Sequence, residues 1–222
     1  MENTMSELNQ LLLNFDVKRT FNNHDYYVCD SNYFAFNLID KWPKWEKRIL
    51  NISGEKFSGK THLANIFKSK SSALFLNENE INNDVFKKIK LQESIIIDNF
   101  SNKVDENLTY SIINLVDQDN KYLLINSETP LSEINFKLPD LASRSRNLLQ
   151  AKINPPNDEL IFAIILKNFS DRQIKLEKQI IEFIINRIDR SYGKISEFIY
   201  KIDELSLKKK KPINLKTIKE IL

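Results

Sequence analysis

The chain has 222 residues, of which 41% are hydrophobic and 28% charged, and its formal net charge is +3. This length allows one domain with a smaller appendage, and so small a net charge gives no electrostatic argument for nucleic acid binding. The single cysteine, Cys29, excludes a disulfide framework, and no apolar run approaches the roughly 18 residues of a membrane span. We expect a cytoplasmic protein without membrane or targeting segments.

Residues 1–20 predict a flexible N-terminal segment with one apolar stretch, "QLLLNF" at residues 10–15. A short peptide of this kind can place a few apolar anchors in a partner's groove. It can also fold back on its own domain as an edge strand or staple. The residues alone leave both alternatives open.

Residues 21–154 predict an α/β domain, because short apolar runs alternate with helical patterns. The predicted strands are residues 48–53, 73–77, 94–100 and 122–127. Helices are predicted from about Lys60 to Lys70 and from Leu108 to Asp119, where apolar residues recur at helical spacing. Strands that alternate with helices favour a parallel sheet covered by helices on both faces.

Residues 155–222 have a different pattern. A Pro-Pro-Asn-Asp start is followed by apolar residues at every third or fourth position, and no strand pattern occurs among them. This predicts a small all-helical domain, with helices continuing through residues 176–189, 194–207 and 214–222.

"GEKFSGKT" at residues 54–61 matches the phosphate-binding loop pattern G-x-x-x-x-G-K-[ST] between a predicted strand and a predicted helix. Glycines let the backbone amides and the helix N-terminus face phosphate oxygens. Lys60 would neutralise phosphate charge, and Thr61 would hold Mg²⁺. The predicted cofactor-binding residues of this segment are Gly54, Phe57, Ser58, Gly59, Lys60, Thr61 and His62.

Asp98 follows three isoleucines at the end of a predicted strand, in "IIIDN", which places it to bind Mg²⁺ as a Walker-B aspartate does. An aspartate that only caps the strand end is the alternative. The next residue is Asn99, which cannot take a proton from water as a carboxylate does. The site should therefore bind nucleotide better than it cleaves it.

These motifs, with "LLINSETP" at residues 123–130, "LPDLASR" at residues 138–144 and the helical tail, resemble the Hda family of DnaA-related AAA+ regulators of bacterial replication initiation. "YYVCDSN" at residues 26–32 is closest to the alphaproteobacterial members. The resemblance implies a P-loop AAA+ parallel-sheet base domain over residues 21–154 and a helical lid over residues 155–222. It also implies ADP or ATP, with Mg²⁺, as cofactors.

The resemblance assigns a role to the N-terminal apolar stretch. Gln10, Leu11, Leu13 and Phe15 match the Q-L-x-L-x-F clamp-binding motif of the family. It implies the β sliding clamp of DNA polymerase III as a partner, DNA contacted indirectly through the clamp, and DnaA as the regulated protein. Self-association into a homodimer is left open.

The remaining family positions carry over one residue at a time. Arg144 matches the box VII arginine finger that acts on a nucleotide at a subunit interface, with an ordinary ion pair as the alternative. Tyr27, Val28 and Asn32 match the segment that lines the adenine side of the pocket. Sensor 1 is either Asn126 or Glu128, and sensor 2 is either Lys194 or Arg190.

The leading hypothesis is a regulator that presents Arg144 to ATP-bound DnaA and promotes hydrolysis there. The alternatives are a DnaA-like initiator or helicase loader and an autonomous P-loop enzyme. DnaA continues past its lid into a helix-turn-helix domain, whereas this sequence stops at Leu222, so we expect no sequence-specific DNA binding by that route.

Overall fold

The computed structural model describes residues 26–172, 177–209 and 218–219, without the side chains of residues 206–209. The predicted N-terminal segment, with the clamp-motif residues Gln10, Leu11, Leu13 and Phe15, lies outside the described residues. No helix among those described has the length and apolar content needed to cross a bilayer.

The base domain is built on a five-stranded parallel sheet in the order β2-β3-β4-β1-β5. Its strands are β1 (Ile49–Ser53), β2 (Leu74–Asn77), β3 (Ser94–Phe100), β4 (Tyr122–Ser127) and β5 (Leu149–Lys152). The register pairs Asn77 with Asp98 and Ser53 with Ser127, so these strands end at one edge of the sheet. The predicted parallel sheet is confirmed, and that edge carries the candidate site.

Five helices cover the sheet on both faces. They are α1 (Tyr33–Lys41), α2 (Lys60–Ser71), α3 (Val85–Lys90), α4 (Glu106–Gln118) and α5 (Pro139–Arg146). On one face, Ile39 of α1 and Phe67 of α2 pack with Leu50 of β1. On the other face, Ile89 and Ile112 pack with the neighbouring strands. Helices on both faces explain why β3 carries three consecutive buried isoleucines.

The lid consists of α6 (Asp158–Asp171), α7 (Lys178–Ile185) and α8 (Tyr192–Lys209) within the described residues. Asn157 starts α6, because its side chain accepts a hydrogen bond from the Leu160 amide at 2.9 Å. The lid has its own apolar core of Ile161, Ile165, Phe169, Ile184, Ile195 and Ile202. Its predicted helical character is confirmed, although most of residues 214–222 lies outside the described residues.

Candidate nucleotide-binding site

The phosphate-binding loop connects β1 to α2 at the carboxyl edge of the sheet. Gly59, directly before α2, has φ +94°, and a Cβ there would lie 3.1 Å from the Tyr26 ring. Both the backbone conformation and this close approach therefore favour glycine. Phe57 also has a positive φ, 69°, and its side chain is exposed. Such conformations in non-glycine residues cluster at functional sites.

Lys60 is buried and lies over the loop. Its Nζ donates to the carbonyl oxygen of Gly54 at 2.7 Å and to that of Glu55 at 2.9 Å. Burial lowers the pKa of Lys60, and the negative charges of Glu128, Asp98 and Glu55 oppose that effect. An anionic phosphate oxygen is a stronger partner for this ammonium than a neutral carbonyl. The geometry therefore suits replacement of the two carbonyls by phosphate oxygens.

Asp98 is the centre of a buried polar cluster. The Thr61 hydroxyl donates to Asp98 Oδ2 at 2.8 Å, and Asn126 Nδ2 donates to Asp98 Oδ1 at 2.8 Å. Asn126 Nδ2 also donates to the Lys60 carbonyl at 3.0 Å. The structure thus joins the predicted loop threonine, the predicted Walker-B aspartate and one sensor-1 candidate. The other candidate, Glu128, is exposed after the end of β4.

Mg²⁺ is compatible with these residues. The Thr61 hydroxyl and the Asp98 carboxylate supply oxygen atoms, which Mg²⁺ prefers, and the buried Asn126 Oδ1 has no hydrogen-bond partner. A bound ion of this kind would neutralise charge on the phosphates. These residues would hold it together with the phosphates and not as an all-protein cage.

Asn99 is exposed at an irregularity in the β3–β4 register, with φ 56°. The side chain next to Asp98 is therefore an amide without a proton-accepting carboxylate. This arrangement can bind phosphates more readily than it can activate an attacking water.

Asn32 organises the segment predicted to line the adenine side. Its Oδ1 accepts from the Cys29 amide at 3.0 Å, and its Nδ2 donates to the Tyr27 carbonyl at 2.9 Å. These bonds hold the backbone around Val28 in a turn. The Tyr27 side chain points to the lid, where its hydroxyl donates to Glu159. That hydrogen bond raises the pKa of Tyr27.

Tyr26, which the sequence patterns did not single out, packs beneath the loop. Its ring stacks on Phe36 at 5.8 Å between centroids and meets His62 edge-on at 5.2 Å. Its hydroxyl is buried without a hydrogen-bond partner, and burial raises its pKa. Tyr26 thereby fixes Gly59 and the predicted contact residue His62 at the start of α2.

Both sensor-2 candidates form ion pairs inside the lid. Lys194 Nζ lies 3.1 Å from Glu197, and Arg190 Nη2 lies 2.8 Å from Asp158. The lid instead reaches the phosphate-binding loop through Glu55, a residue that the motif pattern leaves unspecified. Its carboxylate accepts hydrogen bonds from two backbone amides and one hydroxyl at the start of α8.

Arg144 lies in the last turn of α5, where Nη1 donates to Asp117 Oδ2 at 2.6 Å. Its guanidinium also lies over the Tyr110 ring, 5.6 Å from the centroid. The pair is partly exposed, with 40% of the Arg144 side chain accessible. The structure therefore contains the ion pair named above as the alternative, and it leaves part of the guanidinium available to a partner.

Known proteins resemble this chain in its lid and along most of its length. Residues 158–222 match the family described as "Hda, lid domain". The "Chromosomal replication initiator protein DnaA" of Borreliella afzelii is 26% identical over 213 residues, which covers 84% of this chain and 44% of that protein. The chain spans about half the length of the curated relatives that it matches.

Solved structures show the same fold. Domain III of the Thermotoga maritima replication initiation protein DnaA has a TM-score of 0.72 at 19% identity, covering 91% of this chain and 95% of that one. A replication initiator DnaA bound to AMPPCP and single-stranded DNA has a TM-score of 0.67 at 16% identity. The match covers 84% of this chain and 67% of that one. The chain thus has the fold of these DnaA structures, and its residues 158–222 resemble the Hda lid domain.

Proposed function

We propose that this protein is a nucleotide-binding regulator that, together with the DNA-loaded sliding clamp, promotes hydrolysis of the ATP bound to DnaA. The observation that carries the proposal is the match of residues 158–222 to the Hda lid, because this lid separates the chain from a generic P-loop ATPase. The base-domain motifs that resemble Hda support the same conclusion.

The proposed cofactor is ADP or ATP with Mg²⁺. Lys60, Thr61 and Asp98 stand together at the phosphate-binding loop, and a structural neighbour is a DnaA bound to AMPPCP. Asn99 leaves the site without a carboxylate beside Asp98, so the protein alone should hydrolyse ATP slowly. In this proposal it acts mainly by activating another protein's site.

Arg144 is proposed as the group that acts on DnaA. It would leave Asp117 and approach the γ-phosphate of a nucleotide held by the partner. Exposed ion pairs contribute only about 0–1 kcal/mol, so exchanging Asp117 for a phosphate costs little. A guanidinium presented in this way stabilises charge on the transferring phosphoryl group.

The test compares Arg144→Ala with Arg146→Ala, the neighbouring exposed arginine of the same helix turn. Arg144→Ala should reduce stimulation of hydrolysis on DnaA by ~10³-fold while nucleotide and clamp binding persist. Arg146→Ala should retain the stimulation. Stimulation that survives Arg144→Ala would remove this residue from the mechanism.

A DnaA-like initiator is the second candidate, because the curated relatives are replication initiators and one structural neighbour is bound to single-stranded DNA. An initiator should bind single-stranded DNA when loaded with ATP and should leave hydrolysis on DnaA unchanged. A regulator should show the opposite behaviour in the same two assays.

A further inference from the structure

The start of α8 is held by a side chain from the phosphate-binding loop. The Glu55 carboxylate accepts hydrogen bonds from the Tyr192 amide at 3.0 Å, from the Gly193 amide at 2.8 Å, and from the Ser191 hydroxyl. We refer to Glu55 and these three donors as the α8 cap. It connects the loop directly to the lid.

The first amides of a helix have no partner within the helix itself, and a nearby negative charge stabilises them. In α8, the Ile195 amide makes the first bond within the helix, to the Ser191 carbonyl at 3.0 Å. The Lys194 amide lies 3.4 Å from the Ser191 hydroxyl, and the Tyr192 and Gly193 amides are bound by Glu55 from the base domain. The orientation of this first turn therefore depends on the conformation of the loop.

Two neighbouring features make the contact specific. A Cβ on Gly193 would lie 3.0 Å from Glu55 Oε1, so a methyl group there would push the carboxylate by a few tenths of an ångström. Tyr192 is buried in the base-domain core, and its hydroxyl donates to the Asn154 carbonyl at 3.0 Å. Tyr192 thus anchors α8 to the base domain, whereas Glu55 links α8 to the phosphate-binding loop.

The same loop residue also contacts the ammonium that phosphates would use. Lys60 Nζ donates to the backbone carbonyl of Glu55 at 2.9 Å. Phosphates bound at Lys60 would draw this ammonium away from the loop carbonyls. They would also bring negative charge towards the Glu55 carboxylate, and like charges repel.

We propose that Glu55 is a positioning residue through which phosphate binding at the loop and the α8 cap oppose each other. Bound nucleotide weakens the cap and loosens the first turn of α8, and an intact cap lowers the affinity for nucleotide. Such coupling between two sites is reciprocal. The inference rests on the proposed nucleotide binding. It deepens that proposal, because the first turn of α8 in the lid would then respond to bound nucleotide.

The experiment uses the full chain, with ADP as the probe. Calorimetry gives the ADP affinity. Hydrogen exchange at the Tyr192 and Gly193 amides reports how often their hydrogen bonds to Glu55 open. In the wild-type protein, ADP should speed exchange at these two amides. Glu55→Gln keeps the side-chain size but removes the charge, so these amides should exchange rapidly with or without ADP. Its ADP affinity should rise about 5-fold or more.

Two further variants separate coupling from a purely structural role. Gly193→Ala disturbs the cap from the lid side, so it should also raise ADP affinity, and its effect should not add to that of Glu55→Gln. Tyr192→Phe removes the bond to Asn154 outside the cap. It should lower thermal stability while leaving the ADP affinity and the ADP-dependent exchange as in wild type.

An ADP affinity of Glu55→Gln equal to or below that of wild type would overturn the inference, as would wild-type exchange at Tyr192 and Gly193 that ADP does not accelerate. Either result with normal ADP binding leaves the proposed function intact. A wild-type protein that binds no ADP would contradict the proposed nucleotide binding itself. The coupling between nucleotide and the α8 cap would then be excluded as well.

Discussion

Lys60 shows how one buried charge prepares the loop for a ligand. Its ammonium is removed from solvent and held by two neutral carbonyls, Gly54 and Glu55. Burial lowers its pKa, and nearby carboxylates restore part of the preference for the charged form. The side chain is thus already in place, and a phosphate has only to replace the carbonyls.

Lys60→Ala should therefore weaken ADP and ATP binding by about 10- to 100-fold, since a hydrogen bond to a charged group contributes ~1.5–3 kcal/mol. Lys56→Ala is the matched control, because Lys56 is in the same loop but is exposed, with its Nζ over the Phe57 ring. Its affinity should change less than about twofold. Equal losses in the two variants, measured by calorimetry, would argue against the assignment.

Asn126 is predicted to be a structural part of the site. Asn126→Ala removes two buried hydrogen bonds and leaves Asp98 Oδ1 without that donor. The free energy of unfolding in urea should fall by about 1–3 kcal/mol. Glu128→Ala changes the exposed sensor-1 candidate and should stay within about 0.5 kcal/mol of wild type. An Asn126 variant as stable as the Glu128 variant would contradict this account.

The residues found from sequence were those with fixed spacing in a motif. Gly59, Lys60, Thr61 and Asp98 take the positions that the loop and strand patterns indicated. Tyr26 and Glu55 were missed because their contacts join segments distant in sequence. Glu55 occupies an unspecified position in the loop motif, and its partners begin 136 residues later.

At the scale of elements, strands with an apolar run were predictable, including the four-residue β2, whereas a strand without such a run was not. β3 and β4 have the bounds predicted from their apolar runs. β5 was not predicted, because its four residues, "LQAK", include only one that is fully buried. β5 is a strand because residues 50–53 of β1 pair with it. This pairing is a tertiary effect that the sequence of β5 does not indicate.

The α8 cap gives the lid a pH dependence. Burial acts to raise the pKa of Glu55, but hydrogen bonds from Ser191, Gly193 and Tyr192, with the charge of Lys60, outweigh it and lower that pKa. A carboxyl whose pKa is lower in the folded state adds stability above its unfolded-state pKa and loses it as pH falls through the folded-state pKa.

Glu55→Gln should therefore lower the melting temperature at pH 7, by about 1–2 °C for a solvent-screened group in a protein of this size. The difference from wild type should shrink as the pH falls below the ordinary glutamate pKa of 4.5. Scanning calorimetry across this range measures the difference in melting temperature between the two proteins. A difference that grew towards acid pH would contradict the stabilising role of the Glu55 charge.

At the scale of the whole molecule, the proposed function depends on surfaces that would meet other proteins. The ion pair between Arg144 and Asp117 is partly exposed, so Arg144→Ala should lower the free energy of unfolding by at most about 1 kcal/mol. A larger loss in urea denaturation would assign Arg144 to the fold. The clamp-motif residues Gln10 and Leu13 lie outside the described residues, so their role stays a prediction.

The most direct measurement is the turnover of ATP bound to DnaA, with and without this protein and the DNA-loaded sliding clamp. Turnover should be faster only when protein, clamp and DNA are all present. A Gln10→Ala, Leu13→Ala double variant should lose the effect while retaining ADP binding, because such peptides concentrate their affinity in a few anchors. Turnover on DnaA that stays unchanged with the complete wild-type mixture would contradict the proposed regulation of DnaA.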